Sequence, residues 1–392
     1  MSIDYKQTVL IVHNHYQVHG GEDTVVNNEK RLLEEHGHRV ILYTRHNNEL
    51  KKLGVFGKIV LLFSSIYNLR TVRDIKRIIN DQKIDIVHIH NTLPLISPSV
   101  YYAARKCNIP VVQTIHNFRF LCPGATFYRD GHICEDCLNK GIRCSLLHKC
   151  YRNSYLQTFV CVLNTWIHRQ TGILKKINYI CLTDFNKEKL LHLECIDPKK
   201  VFIKPNFSFG LDCKNEENSL DLDDDYFLFI GRIEEIKGVK LLIEAFNKLP
   251  NEKLKLAGKG PLLNKLEHSN NIEFLGFVPH EELVNIIKKS KAVILPSQWY
   301  EGFPMIISEV FSLHKSIIAG DVGNNGILII NGENGLKFLY NDVDSLVKTI
   351  LLFNKNKQLD LEKKAYIDYL YKFSPDSNYM CLKHIYDILT DI

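Results

Sequence analysis

The chain has no apolar run approaching the ~20 residues that span a bilayer, so a membrane-spanning protein is not expected. Its start, Met1-Ser2-Ile3-Asp4-Tyr5-Lys6, lacks the charged-then-apolar profile of a signal peptide, and a cytoplasmic protein is the expectation. Without an oxidising compartment, its 11 cysteines do not read as a disulfide framework; metal binding or plain burial remains. The Gly-x-Gly-x-x-Gly fingerprint of dinucleotide-binding folds is missing. Internal repeats and low-complexity tracts are missing too, which leaves an ordinary globular chain of 392 residues, long enough for two domains.

Charge is unevenly shared. Residues 1–206 hold 29 Lys+Arg against 17 Asp+Glu, whereas residues 207–392 hold 21 against 27. A basic half beside an acidic half points to one domain that faces an anionic partner.

Short apolar runs alternate with helical patterns in both halves. In the first, strands are predicted at Val9–Val12, Val40–Tyr43, Ile84–His90, Pro110–Thr114, Ile177–Leu182 and Val201–Ile203. In the second they fall at Phe227–Ile230, Lys253–Leu256, Ile272–Leu275, Ala292–Leu295 and Ser316–Ala319. Strands alternating with helices imply parallel sheets. The expected fold is therefore α/β, two Rossmann-like domains facing across a cleft: residues 1–206, a polar linker at 207–226, and residues 227–374.

The most informative stretch runs from Glu301 through Gly302, Phe303, Pro304, Met305 and Ile306 to Glu309. It follows the buried strand Ala292–Leu295, with Pro304 opening a helix that carries Glu309. In open α/β sheets ligands sit outside the carboxyl ends of strands, where helix N-termini present N–H groups to anions. Two carboxylates framing such a place suit a ligand with hydroxyls and phosphates, a nucleotide sugar. Pro304 itself has no N–H; Phe303, Met305 and Ile306 keep theirs.

After the strand Phe227–Ile230, Gly231 permits a sharp turn, and Arg232 and Lys237 become a planar fork and a point charge suited to a diphosphate. Gly258 and Gly260 allow close backbone approach to a ligand after the next strand. Backbone groups near Val278 could read a nucleobase edge, or form an ordinary turn. Gly20 and Gly21 open the first helix and expose N–H groups to an anion, or form an ordinary loop. His116 ends the strand before it and is expected to face the cleft; His88 and His90 read as core or supporting residues.

Taken together, Gly20-Gly21-Glu22, His116, Gly231-Arg232, Lys237-Gly238 and Glu301-x7-Glu309 resemble the retaining GT-B glycosyltransferases of family 4 (group 1) over nearly the whole chain. That resemblance implies a nucleotide-diphospho-sugar donor, a UDP-sugar being favoured, bound mainly by the C-terminal domain. The acceptor, a lipid-linked or surface-polysaccharide intermediate of the lipopolysaccharide or capsule type, would be bound mainly by the N-terminal one. It implies no catalytic metal and no cofactor. Arg232 and Lys237 would contact the diphosphate, Glu301 the donor sugar and Glu309 the ribose, with His116 beside the reacting carbon. The segment 375–392 would be a helix crossing back to the N-terminal domain. A nucleotide-sugar epimerase of the same fold is the alternative enzyme. A zinc-dependent nucleic-acid binder leaves Arg232, Lys237, Glu301 and Glu309 unexplained, so no nucleic-acid partner is expected.

Two features stand outside that core. Cys122, Cys134, Cys137 and Cys150, with Cys144 or His148 as substitutes, could hold a structural zinc in a segment (119–151) poor in apolar periodicity; the alternative is a mobile insertion of thiols. Ile59-Val60-Leu61-Leu62-Phe63 lies near Lys51, Lys52 and Lys58 and precedes Arg70, Arg73 and Arg77, a pattern suited to peripheral contact with an anionic membrane surface at the inner face of the cytoplasmic membrane; a core helix is the alternative for the apolar part.

Overall fold

The computed structural model describes residues 6–18, 20–210, 225–263, 265–355 and 358–391. Most of the acidic segment read as a linker, from 211 to 224, lies outside the described residues. The chain divides into two compact units. Unit 1 comprises Met1–Thr126, Glu135–Pro205 and Asn378–Ile392; unit 2 comprises Phe127–Cys134 and Asn206–Ser377.

Unit 1 is built on strands β1 (Thr8–His15), β2 (Arg39–His46), β3 (Ile86–Asn91) and β4 (Val111–Ile115). The two-residue strands β5 (Tyr128–Arg129) and β6 (His132–Ile133) pair as a separate antiparallel hairpin, and β7 (Asn178–Cys181) and β8 (Val201–Ile203) complete the main sheet. Its order is β2-β1-β3-β4-β7-β8 and every pairing is parallel. Val9, Leu10, Ile11 and Val12 are all buried because helices cover both faces of such a sheet.

The helices that matter for the site are α1 (Gly21–Glu35), α2 (Val55–Ser64), α3 (Leu69–Gln82), α4 (Ser99–Lys106) and α5 (Tyr155–Gln170). Helix α1 buries Val25, Val26, Glu29, Leu32 and Leu33 at three- and four-residue spacing, and Gly37 ends it with φ +83°. Asn68 caps α3 by accepting from the N–H groups of Arg70 and Thr71.

Unit 2 repeats the design with β9 (Tyr226–Ile230), β10 (Lys253–Ala257), β11 (Ile272–Gly276), β12 (Val293–Leu295), β13 (Ile317–Gly320) and β14 (Gly335–Phe338), in the order β11-β10-β9-β12-β13-β14. Helix α6 (Val239–Asn247) packs Val239, Leu242, Ile243 and Phe246 onto this sheet, and α7 (Met305–Ser312) follows β12. The last helix, α8 (Pro375–Thr390), sets Leu382, Ile385 and Tyr386 against Val9, Ile11, Val26 and Leu33 in the core of unit 1.

The cysteine-rich segment, poor in apolar periodicity, is nevertheless anchored by burial. Phe118, Leu121, Ala125, Phe127 and Ile142 are all buried. The anchors are spaced irregularly because the chain turns repeatedly, with positive φ at Ala125, Phe127 and Asp130, so no period announces them. The hairpin β5–β6, within that segment, groups with unit 2, where the Phe127 ring meets Tyr300 edge-on at 6.2 Å.

Unit 1 also buries neutral histidines. Burial holds His88 down at about 3, with the neighbouring His90 adding to the effect, and His13 at about 4. An unfolded chain takes up these protons near the ordinary 6.5, while the folded one resists until about 3 and 4. Stability is thus full above pH 6.5 and falls as the pH drops toward those values, by about 1.4 kcal/mol per pH unit for each group. The urea midpoint is expected to be lower at pH 5 than at pH 7.5. A midpoint that rises on acidification would contradict this.

Candidate active site

Each sheet places its first strand inside, and the chain leaves it toward opposite edges: β2 and β3 flank β1, and β10 and β12 flank β9. The loops leaving such a pair of strands diverge, and ligands bind in the resulting gap. In unit 2 that gap lies at the carboxyl ends of β9 and β12. Arg232 and Lys237 follow β9, and Glu301 follows β12, so the structure brings Lys237 and Glu301 together.

Lys237 Nζ lies 2.6 Å from Glu301 Oε1, and Ser297 donates to the same oxygen at 2.6 Å. Burial pushes the Glu301 carboxyl up, but the Lys237 charge and these hydrogen bonds outweigh it and hold the group below its usual range. Lys237 also sits 5.7 Å from the centre of the Trp299 ring. Asn324, fully buried, donates to the backbone carbonyls of Glu301 (2.6 Å) and Gly302, which fixes the loop carrying the carboxylate. Asn324 had no signal in the sequence, because a supporting amide 23 residues from Glu301 follows no spacing rule.

Arg232 is largely exposed and pairs with Glu234 at 2.9 Å, on the same strand end as Lys237. Glu309 lies in the second turn of α7, and burial raises its carboxyl above the ordinary value. Phe303 is buried against Phe373 (5.6 Å), and Met305 and Ile306 form the first turn of α7, ahead of its first closed bond from Ile307 N–H to the Pro304 carbonyl. Gly276, Phe277 and Val278 leave β11, with Lys259 over the Phe277 ring at 5.5 Å.

The glycines also bring the chain's own loops close together. A Cβ on Gly258 would lie 1.8 Å from the Gly231 carbonyl oxygen, and one on Gly260 would lie 2.3 Å from that of Ile233. The close approach is thus between the chain's own loops after β9 and β10. Gly238 has φ +74°, and its Cβ would meet the Pro296 carbonyl at 1.8 Å; its absence lets the Lys237 turn rest on the loop of Glu301.

Unit 1 gathers another set at the corresponding gap. Gly20 and Gly21 start α1 just after β1, and the Gly20 N–H donates to Asp23 Oδ2 at 2.9 Å. The other oxygen of Asp23 meets His13 Nε2 and His15 Nδ1, each at 2.8 Å. Glu22 accepts from Asn117 (2.8 Å) and Tyr16 (2.9 Å), and burial raises its carboxyl. His116 ends β4, only 8% exposed, with Nε2 at 2.9 Å from His90 Nδ1; burial and the nearby His90 hold it well below 6.5 and neutral. It lines a pocket of about 610 Å³, a volume that includes its open mouth, together with Asn91, Thr92, Gln113, Asn117 and Arg119.

Among the described residues, three or more metal-capable atoms converge within 4.8 Å in two groups: His13, His15 and Asp23, and Glu29, His88 and His90. Cys122, Cys134, Cys137 and Cys150 do not form such a group. Cys122 and Cys150 approach one another around Gly124. No chemistry is derived through a zinc at these residues.

The chain is a glycosyltransferase of the family 4, group 1 type with the GT-B fold. Residues 19–207 match the model described as Glycosyltransferase Family 4, and residues 213–369 match Glycosyl transferases group 1. It is 25% identical over 328 residues to the UDP-Gal:alpha-D-GlcNAc-diphosphoundecaprenol alpha-1,3-galactosyltransferase of Escherichia coli, covering 77% of this chain and 74% of that one. A glycosyltransferase from Rickettsia africae has a similar structure (TM-score 0.70, 18% identity, 98% of both chains), as does Anabaena Alr3699/HepE in complex with UDP (TM-score 0.65, 14% identity, 98% and 100%).

Gly238→Ala is expected to destabilise the protein by more than about 1 kcal/mol, since the residue must both strain its backbone and displace a carbonyl. A urea midpoint unchanged from wild type would show that the turn tolerates a side chain.

Proposed function

We propose that this enzyme is a retaining transferase that moves a sugar from a UDP-sugar to a hydroxyl of a lipid-linked saccharide. The observation that carries the reading is the Lys237–Glu301–Ser297 cluster at the strand-order reversal of unit 2. A lysine ammonium has three N–H donors. One is spent on Glu301, which aims the group; the others remain for phosphate oxygens. Arg232, exposed on the same strand end, supplies a planar fork for the same diphosphate. As the bond from the anomeric carbon to the diphosphate breaks, negative charge grows on the leaving oxygens, and both cations stabilise it. A leaving phosphate oxygen takes the proton of the acceptor hydroxyl, which attacks from the same face. Glu301 accepts from donor-sugar hydroxyls and Glu309 from those of the ribose. The pocket beside His116 receives the acceptor.

The relative that acts on a diphosphoundecaprenol-linked sugar supports a lipid-linked acceptor, and the protein with bound UDP supports the nucleotide. Incubating the protein with a panel of nucleotide sugars should release UDP slowly from one UDP-sugar. Lys237→Ala should lower that rate by about 10²–10³-fold, the scale of losing one preorganised group facing developing charge. If no donor is hydrolysed or bound, the reading fails; release of an altered nucleotide sugar would instead make it an epimerase.

A lipid-linked acceptor places the enzyme at a bilayer surface. Helix α2 buries none of its residues, and Val55, Phe56 and Phe63 are more than 70% exposed. Asn164 and His168 of α5 tie its end down by donating to the carbonyls of Ser65 (2.7 Å) and Ile66 (3.0 Å). Arg70, Arg73 and Arg77 on α3 are exposed beside it, suited to anionic headgroups. No described helix is long and apolar enough to cross a bilayer by itself. The protein is expected to float with liposomes containing anionic lipid, and Phe56→Ser with Phe63→Ser to weaken this at least tenfold, since about 1.5–3 kcal/mol attaches to burying each ring. Wild-type protein that stays in the soluble fraction would overturn the membrane contact.

A further inference from the structure

His116 has two ring nitrogens, and only one can carry the proton while the ring is neutral. Its Nε2 faces His90 Nδ1 at 2.9 Å, so whichever nitrogen of that pair holds the proton, the other must accept it. The choice is made one residue further back. His90 Nε2 lies 3.2 Å from Glu29 Oε2; both atoms are buried and neither has a well-directed hydrogen-bond partner, so the carboxylate acts on His90 through proximity of charge, with His88 Nδ1 the next group from that oxygen at 3.5 Å. Glu29 can only accept, because it is an anion: its other oxygen pairs with Lys204 Nζ at 2.6 Å, with both side chains fully buried. His88, the remaining neighbour of Glu29, is committed elsewhere, to Tyr386 Oη and Thr114 Oγ1, each at 2.7 Å. Asn378 also holds Lys204, at 3.1 Å.

We infer that Glu29 acts through His90 as a positioning residue that sets the tautomer of His116. The carboxylate draws the His90 proton to Nε2, which leaves His90 Nδ1 as an acceptor. His116 must then carry its proton on Nε2, and its Nδ1 is left as the hydrogen-bond acceptor that the ring offers to a hydroxyl in the pocket. A buried carboxylate that fixes an imidazole's tautomer is a general device for aiming a histidine. The inference rests on the proposed function only for what that hydroxyl is; the tautomer itself does not depend on it. In this scheme Glu29 and Lys204 lie behind the pocket, while His90 lines it together with His116.

The test uses full-length protein with ¹⁵N-labelled histidine, read by NMR in the absence of donor, with His116→Asn to assign the signal. The wild type should show His116 protonated at Nε2, with a coupling through the hydrogen bond to His90 Nδ1. In Glu29→Gln, the Lys204 cation should claim the amide oxygen and turn the amide N–H₂ toward His90. The relay then reverses, and His116 should be protonated at Nδ1. Transfer should show kcat reduced roughly tenfold or more with KM for the nucleotide sugar unchanged, since only the aim of one group is lost. His116 protonated at Nδ1 in the wild type, or an unchanged tautomer in a folded Glu29→Gln, would overturn the inference. If Glu29→Gln does not fold, the wild-type spectrum alone decides. The expected tautomers in a protein that hydrolyses no donor would sink the proposed function and leave this inference standing.

Discussion

Everything in this enzyme hangs on the placement of the first strand of each sheet in the interior, with its neighbours in the chain on opposite sides. Parallel strands need crossover connections, and those connections lie on the faces of the sheet. When the strand order reverses, the loops at the carboxyl ends part, and polar residues can collect there without leaving the protein. In unit 2 the parting admits Arg232, Lys237 and Glu301. In unit 1 it admits His13, His90 and His116.

The two gatherings solve the cost of buried charge differently. Lys237 and Glu301 remain at the edge, where a partly solvated lysine can keep donors available to a ligand. Glu29 and Lys204 are wholly interior, and a bare ion there would be very costly, so each requires the other. That pair gives the histidines behind the pocket an orientation which no solvent contact could provide. Helix α8 closes the arrangement: Asn378 holds Lys204 and Tyr386 holds His88. The last part of the chain is therefore bound into the polar interior of the first unit.

Much of this was legible in the residues. Apolar runs marked most of the strands, because a sheet covered on both faces requires them. Glu301, Lys237 and Arg232 stood out because each lies within seven residues of the end of such a run, and chemistry at a strand's end is a short-range signal. Gly258 and Gly260 were recognised as places of close approach, and the structure sets the chain's own carbonyls of Gly231 and Ile233 there. Phe118, Leu121 and Phe127 order the cysteine-rich segment from positions without a period.

By itself the sequence determined the α/β class and the alternation of the elements, and it marked the residues proposed to meet a nucleotide sugar, because each follows from patterns spanning a few residues. Only the tertiary structure decided that Glu29, Lys204, His90 and His116 form one chain of contacts. Those residues lie up to 175 positions apart, and burial, not sequence spacing, gives their charges and protons a single consistent arrangement.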